Sequence, residues 1–201
     1  EVNKEDNDGV TALHRAAKNG HIDGAEVNKE DNRGLTALHR AAENGHIDVI
    51  RYLISEGAEV NKKDNNGETA LHRAADNDGE TALHCVSKNG PIDVIKYLIS
   101  EGAEVNKEDN DGVTALHRVT WTGHIDVIKC YIDVIRYLIS EGAEVNKEDN
   151  YGETALHHAA KNGQIDVIKY LISEGAEVNK EDNDGVTALH FAAENPRSRC
   201  E

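Results

Sequence analysis

The sequence predicts an all-α solenoid built from stacked helix-turn-helix units, and two observations predict it. The string TALH begins at Thr11, Thr36, Thr69, Thr81, Thr114, Thr154 and Thr187, with steps of 25, 33, 12, 33, 40 and 33 residues. Self-similarity at such a period marks a repeat architecture. The composition also excludes a core of large side chains. Hydrophobic residues make up 38% and aromatics 4% of the 201 residues, with one Trp, one Phe and no Met. A thin core of Ala, Leu, Ile and Val, renewed layer by layer, fits better.

The complete unit runs from Asp31 to Lys63. Asp31-Asn32-Arg33-Gly34 reads as a turn, with Gly free to take a positive φ. Thr36 stands where an N-cap belongs, ahead of a short helix over 37–43. The Ala41-Ala42 pair has almost no bulk, so neighbouring helices can approach closely, and Asn44-Gly45 ends the helix. A second helix starts near Ile47 and carries Ile47, Ile50, Leu53 and Ile54 on one face. Gly57 suits the left-handed position that closes it. Neither helix buries its face alone, so copies must stack.

The motifs G-x-T-A-L-H, A-A-x-N-G-H-I-D-V-I and L-I-S-E-G-A-E-V-N resemble the ankyrin repeat family, whose unit also has this length. The resemblance runs from Glu1 to about Asn195. One departure is Ala where the family usually has Pro after the capping Thr, a mild change because Ala is an excellent helix former. The resemblance implies an ankyrin solenoid that binds protein partners through a concave groove of fingers and first helices.

The irregular steps predict defects. In the 25-residue step His21-Ile22-Asp23 runs straight into Gly24-Ala25-Glu26, removing the second helix of the first repeat. The 12-residue step deletes a second helix and its loop, which sets two first-type helices, over 70–76 and 82–88, one after the other. The 40-residue step inserts a near-copy of 125–130 at 132–137. Seven residues are nearly two turns, so the insertion predicts one helix of roughly 16 residues, about 24 Å long. The expected organisation is an array over 1–195, irregular over 1–88 and more regular over 89–195, then a non-repeat tail at 196–201. Both ends cut the unit midway and no polar capping repeat is visible. The sequence therefore reads as an excerpt of a longer array or as an imperfectly assembled one, with uncapped ends that could drive self-association.

The formal net charge of −16 argues against nucleic acid or an anionic membrane surface as partner. No apolar run is long enough to span a bilayer and no signal segment is visible. Cys85, Cys130 and Cys200 follow no framework spacing, which points to a reducing, cytoplasmic setting.

Chemistry finds little support. His14, His39, His72, His84, His117, His157 and His190 occur once per unit, so they lie about one helix spacing of roughly 10 Å apart. That is too far to share an ion bonded at about 2 Å. The resemblance implies that they hold the turn with the preceding Thr. His21, His46 and His124 read as turn residues. No paired Cys/His spacing, nucleophile constellation or glycine-rich phosphate loop appears. We expect no enzyme activity, metal or cofactor.

The copies differ most beside the turn Gly, after TALH and near the end of the first helix. Trp121 replaces a charged residue and Tyr151 a polar turn residue in the next unit. Trp, Tyr and Arg are enriched at interface hot spots, so Trp121, Tyr151, Arg118 and His158 form a candidate partner-binding patch. Drift in a degenerating copy is the alternative, since Val119-Thr120 replace the Ala pair beside Trp121. Arg40 and Arg73, with Arg15 and Arg118, suggest a basic stripe that either takes acidic side chains of a partner or pairs with the chain's own Asp and Glu. The resemblance further implies that Asn61, Asn106, Asn146 and Asn179 match positions modified by asparaginyl hydroxylases, a structural loop role being the alternative. Two functions follow: a protein-interaction module binding through the groove, or a structural spacer of a longer array with no dedicated partner.

Overall fold

The computed structural model describes residues 6, 10–18, 26–75, 91–121 and 128–194. They fall into two compact units, Glu1–Asn110 and Asp111–Glu201. The first contains α1 (Ala12–Lys18), α2 (Ala37–Glu43), α3 (Ile47–Ser55), α4 (Ala70–Ala75) and α5 (Pro91–Ser100). The second contains α6 (Ala115–Trp121), α7 (Ile128–Ser140), α8 (Ala155–Lys161), α9 (Ile165–Ser173) and α10 (Ala188–Glu194). One isolated bridge, Glu181 to Thr187, is the extent of β-structure among the described residues. The all-α fold expected from the sequence is therefore observed.

Short inner helices stack on one another, and longer outer helices pair with them. In the first unit α1 packs on α2 and α2 on α4, while α3 pairs with α2 and α5 with α4. In the second unit α6, α8 and α10 stack in order, with α7 paired to α6 and α9 to α8. Leu38, Ile50, Leu53, Leu71 and Leu98 fill the first core; Leu116, Ile135, Leu138, Leu156 and Leu171 fill the second. The alanines Ala41, Ala42, Ala74, Ala75, Ala159 and Ala160 are buried where inner helices meet. Val119 and Thr120 take the place of such a pair in α6, also buried. Thr120 satisfies its hydroxyl by donating to the His117 carbonyl at 2.9 Å.

The TALH histidine joins consecutive layers. In α2 the His39 Nδ1 accepts the Thr36 backbone N–H at 3.1 Å and the Thr36 hydroxyl at 2.9 Å, while Nε2–H donates to the Glu68 carbonyl at 3.1 Å. Donation to a carbonyl fixes the Nε2–H tautomer. His14 reaches Leu35 O at 2.7 Å, His117 reaches Lys147 O at 2.9 Å and His157 reaches Lys180 O at 3.1 Å in the same way.

Fingers stack beside the helices. Asn65 donates its amide N–H to Arg33 O and its side-chain Nδ2 to Asn32 O, both at 3.0 Å. The approach is close enough to demand glycine: a Cβ on Gly34, at φ +76°, would lie 2.8 Å from Asn65 N.

The irregular steps are absorbed in different ways. The eight-residue shortfall does not stop α1 stacking on α2, with His14 reaching a carbonyl only 21 residues on, against 29 for His39. At the 12-residue step, Asn110 Nδ2 donates to Asn65 O across 45 residues, where Asn65 reaches Asn32 across 33. Asn65 and Asn110 are thus neighbours in the ladder, and α4 pairs with α5 as α2 does with α3. The expected helix over 82–88, Cys85 and His84 lie outside the described residues, as do His21, His124, Cys200 and the tail. Of the lengthened helix the described part is Ile128–Ser140, 13 residues, with Val134, Ile135 and Leu138 buried; residues 125–127 lie outside.

Candidate functional site

Each finger is organised by one aspartate. Asp31 Oδ1 accepts the backbone N–H groups of Arg33 and Leu35, both at 2.9 Å, and its Oδ2 faces Arg40 Nη2 at 2.9 Å. Burial alone would raise the Asp31 carboxyl; the two amides and the guanidinium outweigh it and hold it below the usual range. Asp64 repeats the arrangement with Asn66, Glu68 and Arg73. Arg73 Nη2 lies 2.5 Å from both Asp64 Oδ2 and Glu68 Oε2. Arg40 and Arg73 each thus pair with carboxylates of their own finger.

In the second unit the cradle of Asp149 and Glu153 holds an imidazole instead. His158, buried on α8, places Nε2 3.2 Å from Asp149 Oδ2 and Nδ1 3.5 Å from Glu153 Oε2. Asp149 Oδ1 accepts the amides of Tyr151 and Glu153 at 2.9 Å. Burial pushes the Asp149 carboxyl upward, but the His158 contact and these amides leave it below its ordinary value. Lys161 closes on Glu153 from solvent.

The His158 ring carries Trp121. Its plane lies 12° from the indole with centroids 5.1 Å apart, and His117 meets it edge-on at 5.6 Å. Arg118 Cζ stands 5.8 Å from the indole centroid, one turn along α6. Asn162 Nδ2 donates to Trp121 O at 2.8 Å and to Thr120 O at 3.1 Å, tying the end of α6 to the end of α8. Trp121 is 51% exposed and Tyr151, at the finger tip, 62%. Burial, aided by neighbouring His158, lowers the His117 pKa to about 4, so this imidazole is neutral at pH 7.

Ligand atoms of Asp149, Glu153 and His158 lie within 4.8 Å of one another, and these three could hold a metal ion. Their geometry has another explanation. The guanidinium of Arg73 fills the equivalent cradle between Asp64 and Glu68, so His158 stands in the place of a side-chain cation.

A family model described as ankyrin repeats (3 copies) matches residues 22–79, 75–130 and 129–200. The chain is an ankyrin-repeat protein. No curated protein matches it. Ankyrin repeats are generally protein–protein interaction modules and generally not enzymes. Among the described residues, no helix is long and apolar enough to cross a membrane.

Two of the ankyrin loop asparagines, Asn61 and Asn146, are engaged in packing. Asn61 Nδ2 donates to Gly102 O and its Oδ1 accepts the Glu104 amide, both at 2.9 Å. Asn146 does the same with Gly175 and Glu177. Asn28, which the sequence reading passed over, holds Gly57 and Glu59 identically. Sequence comparison of the ankyrin copies also missed Asp149, Glu153 and Asn162 as supports of the aromatic pair. Lys161 and Phe191 were missed too, with Lys161 Nζ 4.4 Å over the Phe191 ring. The one signal available was the acid nine residues before each Arg or His that follows TALH.

Proposed function

We propose that this ankyrin-repeat chain is a protein-interaction module that receives its partner on the finger and inner-helix face of the second unit, at Trp121 and Tyr151. The observation that carries the reading is the exposed indole of Trp121 resting on the buried, doubly held ring of His158. An exposed aromatic costs little further ordering on binding when its position is already fixed, which is the condition of an interface anchor. Arg118 flanks the anchor and His158 backs it. Arg40 and Arg73 serve their own fingers in this reading, because their guanidiniums are bound to Asp31, and to Asp64 and Glu68.

The test is selection of binders from a random peptide library against the full chain, followed by titration of Trp121→Ala and Tyr151→Ala. Groove binding predicts that Trp121→Ala raises Kd at least about fivefold, roughly 1 kcal/mol. An unchanged Kd for both variants removes the patch. Failure to select any binder favours the spacer reading, in which the ladder of fingers only sets distance.

A further inference from the structure

The finger of residues 149–153 is built around a demand for positive charge. Asp149 and Glu153 each turn one oxygen toward His158, Oδ2 at 3.2 Å from Nε2 and Oε2 at 3.5 Å from Nδ1. The side chains of Asp149, Glu153 and His158 are 1%, 12% and 6% exposed. Two carboxylates so far from water need a cation between them. In the finger of Asp64 and Glu68 the Arg73 guanidinium meets that need permanently, because it keeps its proton and offers no lone pair. Imidazole differs on both counts. Near neutral pH it also exists without charge, and in that form it is the commonest metal ligand.

The other oxygens are already committed, which aims the pair. Asp149 Oδ1 accepts the Tyr151 and Glu153 amides, both at 2.9 Å, and Lys161 holds Glu153 Oε1. Contacts of this kind orient metal ligands and set their basicity. Donor atoms bonded to one tetrahedral ion at about 2 Å stand roughly 3.3 Å apart. The 3.2 Å between His158 and Asp149 already matches, and the ligand atoms of all three residues lie within 4.8 Å of one another. A small rotation of Glu153, the least buried of the three, closes the remainder. Nitrogen beside carboxylate oxygen suits zinc, cobalt or nickel; calcium and magnesium take oxygen alone. The paired Cys/His spacing missing from the sequence does not bear on this site, whose carboxylates stand nine and five residues before the imidazole.

We propose that Asp149, Glu153 and His158 bind one divalent transition-type ion such as zinc, through Oδ2, Oε2 and one ring nitrogen, with water in the fourth position. The ion supplies from outside the positive charge that Arg73 carries as a side chain in its own finger. Bound there, it ties the finger of Tyr151 to the ring on which Trp121 rests. The site does not depend on whether a partner protein uses those aromatics.

Trp121, the sole tryptophan, is the reporter, since its indole lies 5.1 Å from the His158 ring. The full chain, stripped of metal with a chelator, is titrated with cobalt chloride while its tryptophan emission is followed. The expected result is saturable quenching at one cobalt per chain, reversed by zinc but not by magnesium at the same concentration. His158→Arg puts a guanidinium in the cradle and should abolish the quenching, with helical circular dichroism unchanged. Glu153→Gln keeps the shape of the side chain and should weaken cobalt affinity at least about tenfold. No saturable quenching of the parent chain overturns the proposal. So does quenching that survives His158→Arg, because the ion would then lie elsewhere. Reversal by magnesium as readily as by zinc would mark mere attraction to acidic surface, and overturns it too. Unchanged cobalt affinity in Glu153→Gln overturns it as well, whatever the fold of the arginine variant.

Discussion

The imidazole of His158 lies nearly parallel to the indole of Trp121, with centroids 5.1 Å apart and planes 12° from each other. The lower ring is buried between two carboxylates and the upper one is open to solvent. Removing the lower ring should therefore do two things. His158→Ala strands Asp149 and Glu153 without their shared partner, and stability should fall by about 2 kcal/mol. It also withdraws the support of Trp121, the sole tryptophan of the chain. Its fluorescence anisotropy should drop. His158→Arg restores the cation found at Arg40 and Arg73 and should keep the stability of the parent. Chemical denaturation and anisotropy of the two variants check both statements.

Acid should weaken the second unit through His117. Burial, with His158 beside it, lowers the folded pKa from 6.5 to about 4. Above pH 6.5 the imidazole is neutral folded or unfolded and favours neither. Between 6.5 and about 4 the unfolded chain takes up a proton that the folded site resists, so stability falls with pH by up to about 3 kcal/mol. His39 in the first unit shifts in the same direction, also through burial. Asp31 and Asp149 are lowered, so their contribution is present above the ordinary carboxylate value and lost only below it. Their acid step lies beneath that of the histidines. Urea midpoints measured against pH should show the upper step in the parent chain and a shallower one in His117→Gln.

Much of this was legible in the sequence. The helix over 37–43 follows from Thr36 at its start and Asn44-Gly45 at its end, and it forms there. What could not be read was which copy of TALH supplies the partner of α5. Copies of a repeat are interchangeable as local sequence, and only stacking selects between them; the finger ladder joins Asn65 to Asn110 and so selects the copy at Thr69. The fate of Arg40 and Arg73 was equally undetermined. An acid nine residues earlier is distant along the chain, and only the folded finger turns Asp31 and Asp64 back onto them.

Two glycines of the second unit separate conformational strain from close approach. Gly152 and Gly175 both have positive φ, +77° and +91°. A Cβ at Gly175 meets nothing within 4 Å, so Gly175→Ala should cost only the left-handed penalty of about 1–2 kcal/mol. A Cβ at Gly152 would stand 2.8 Å from Asn183 N, a backbone atom that also donates to Tyr151 O at 3.0 Å. Gly152→Ala must therefore push the fingers apart and should cost more than its partner variant. Equal losses in denaturation would show that the finger contact yields freely.

The connection between α4 and α5 offers a deletion that should help the fold. Residues 76–90 join these helices, whereas residues 44–46 join the equivalent pair α2 and α3. Removing Asp78 to Asn89 leaves the sequence AADNGPIDV, which matches AAENGHIDV at 41–49 in all but two places. The shortened chain keeps Asn77 and Gly90 to end α4, and Pro91 at the first position of α5, where its fixed φ suits a helix start. Asn110 would then stand 33 residues from Asn65, the separation that Asn65 already has from Asn32. Closing a helix pair over the shorter connection should stabilise the first unit by about 1 kcal/mol. The deletion variant should accordingly unfold at higher urea, with hydrogen-exchange protection of Asn65 and Asn110 retained. Lower stability would mean that residues 76–90 contribute packing of their own, and the copy at Thr81 would then count as part of the stack.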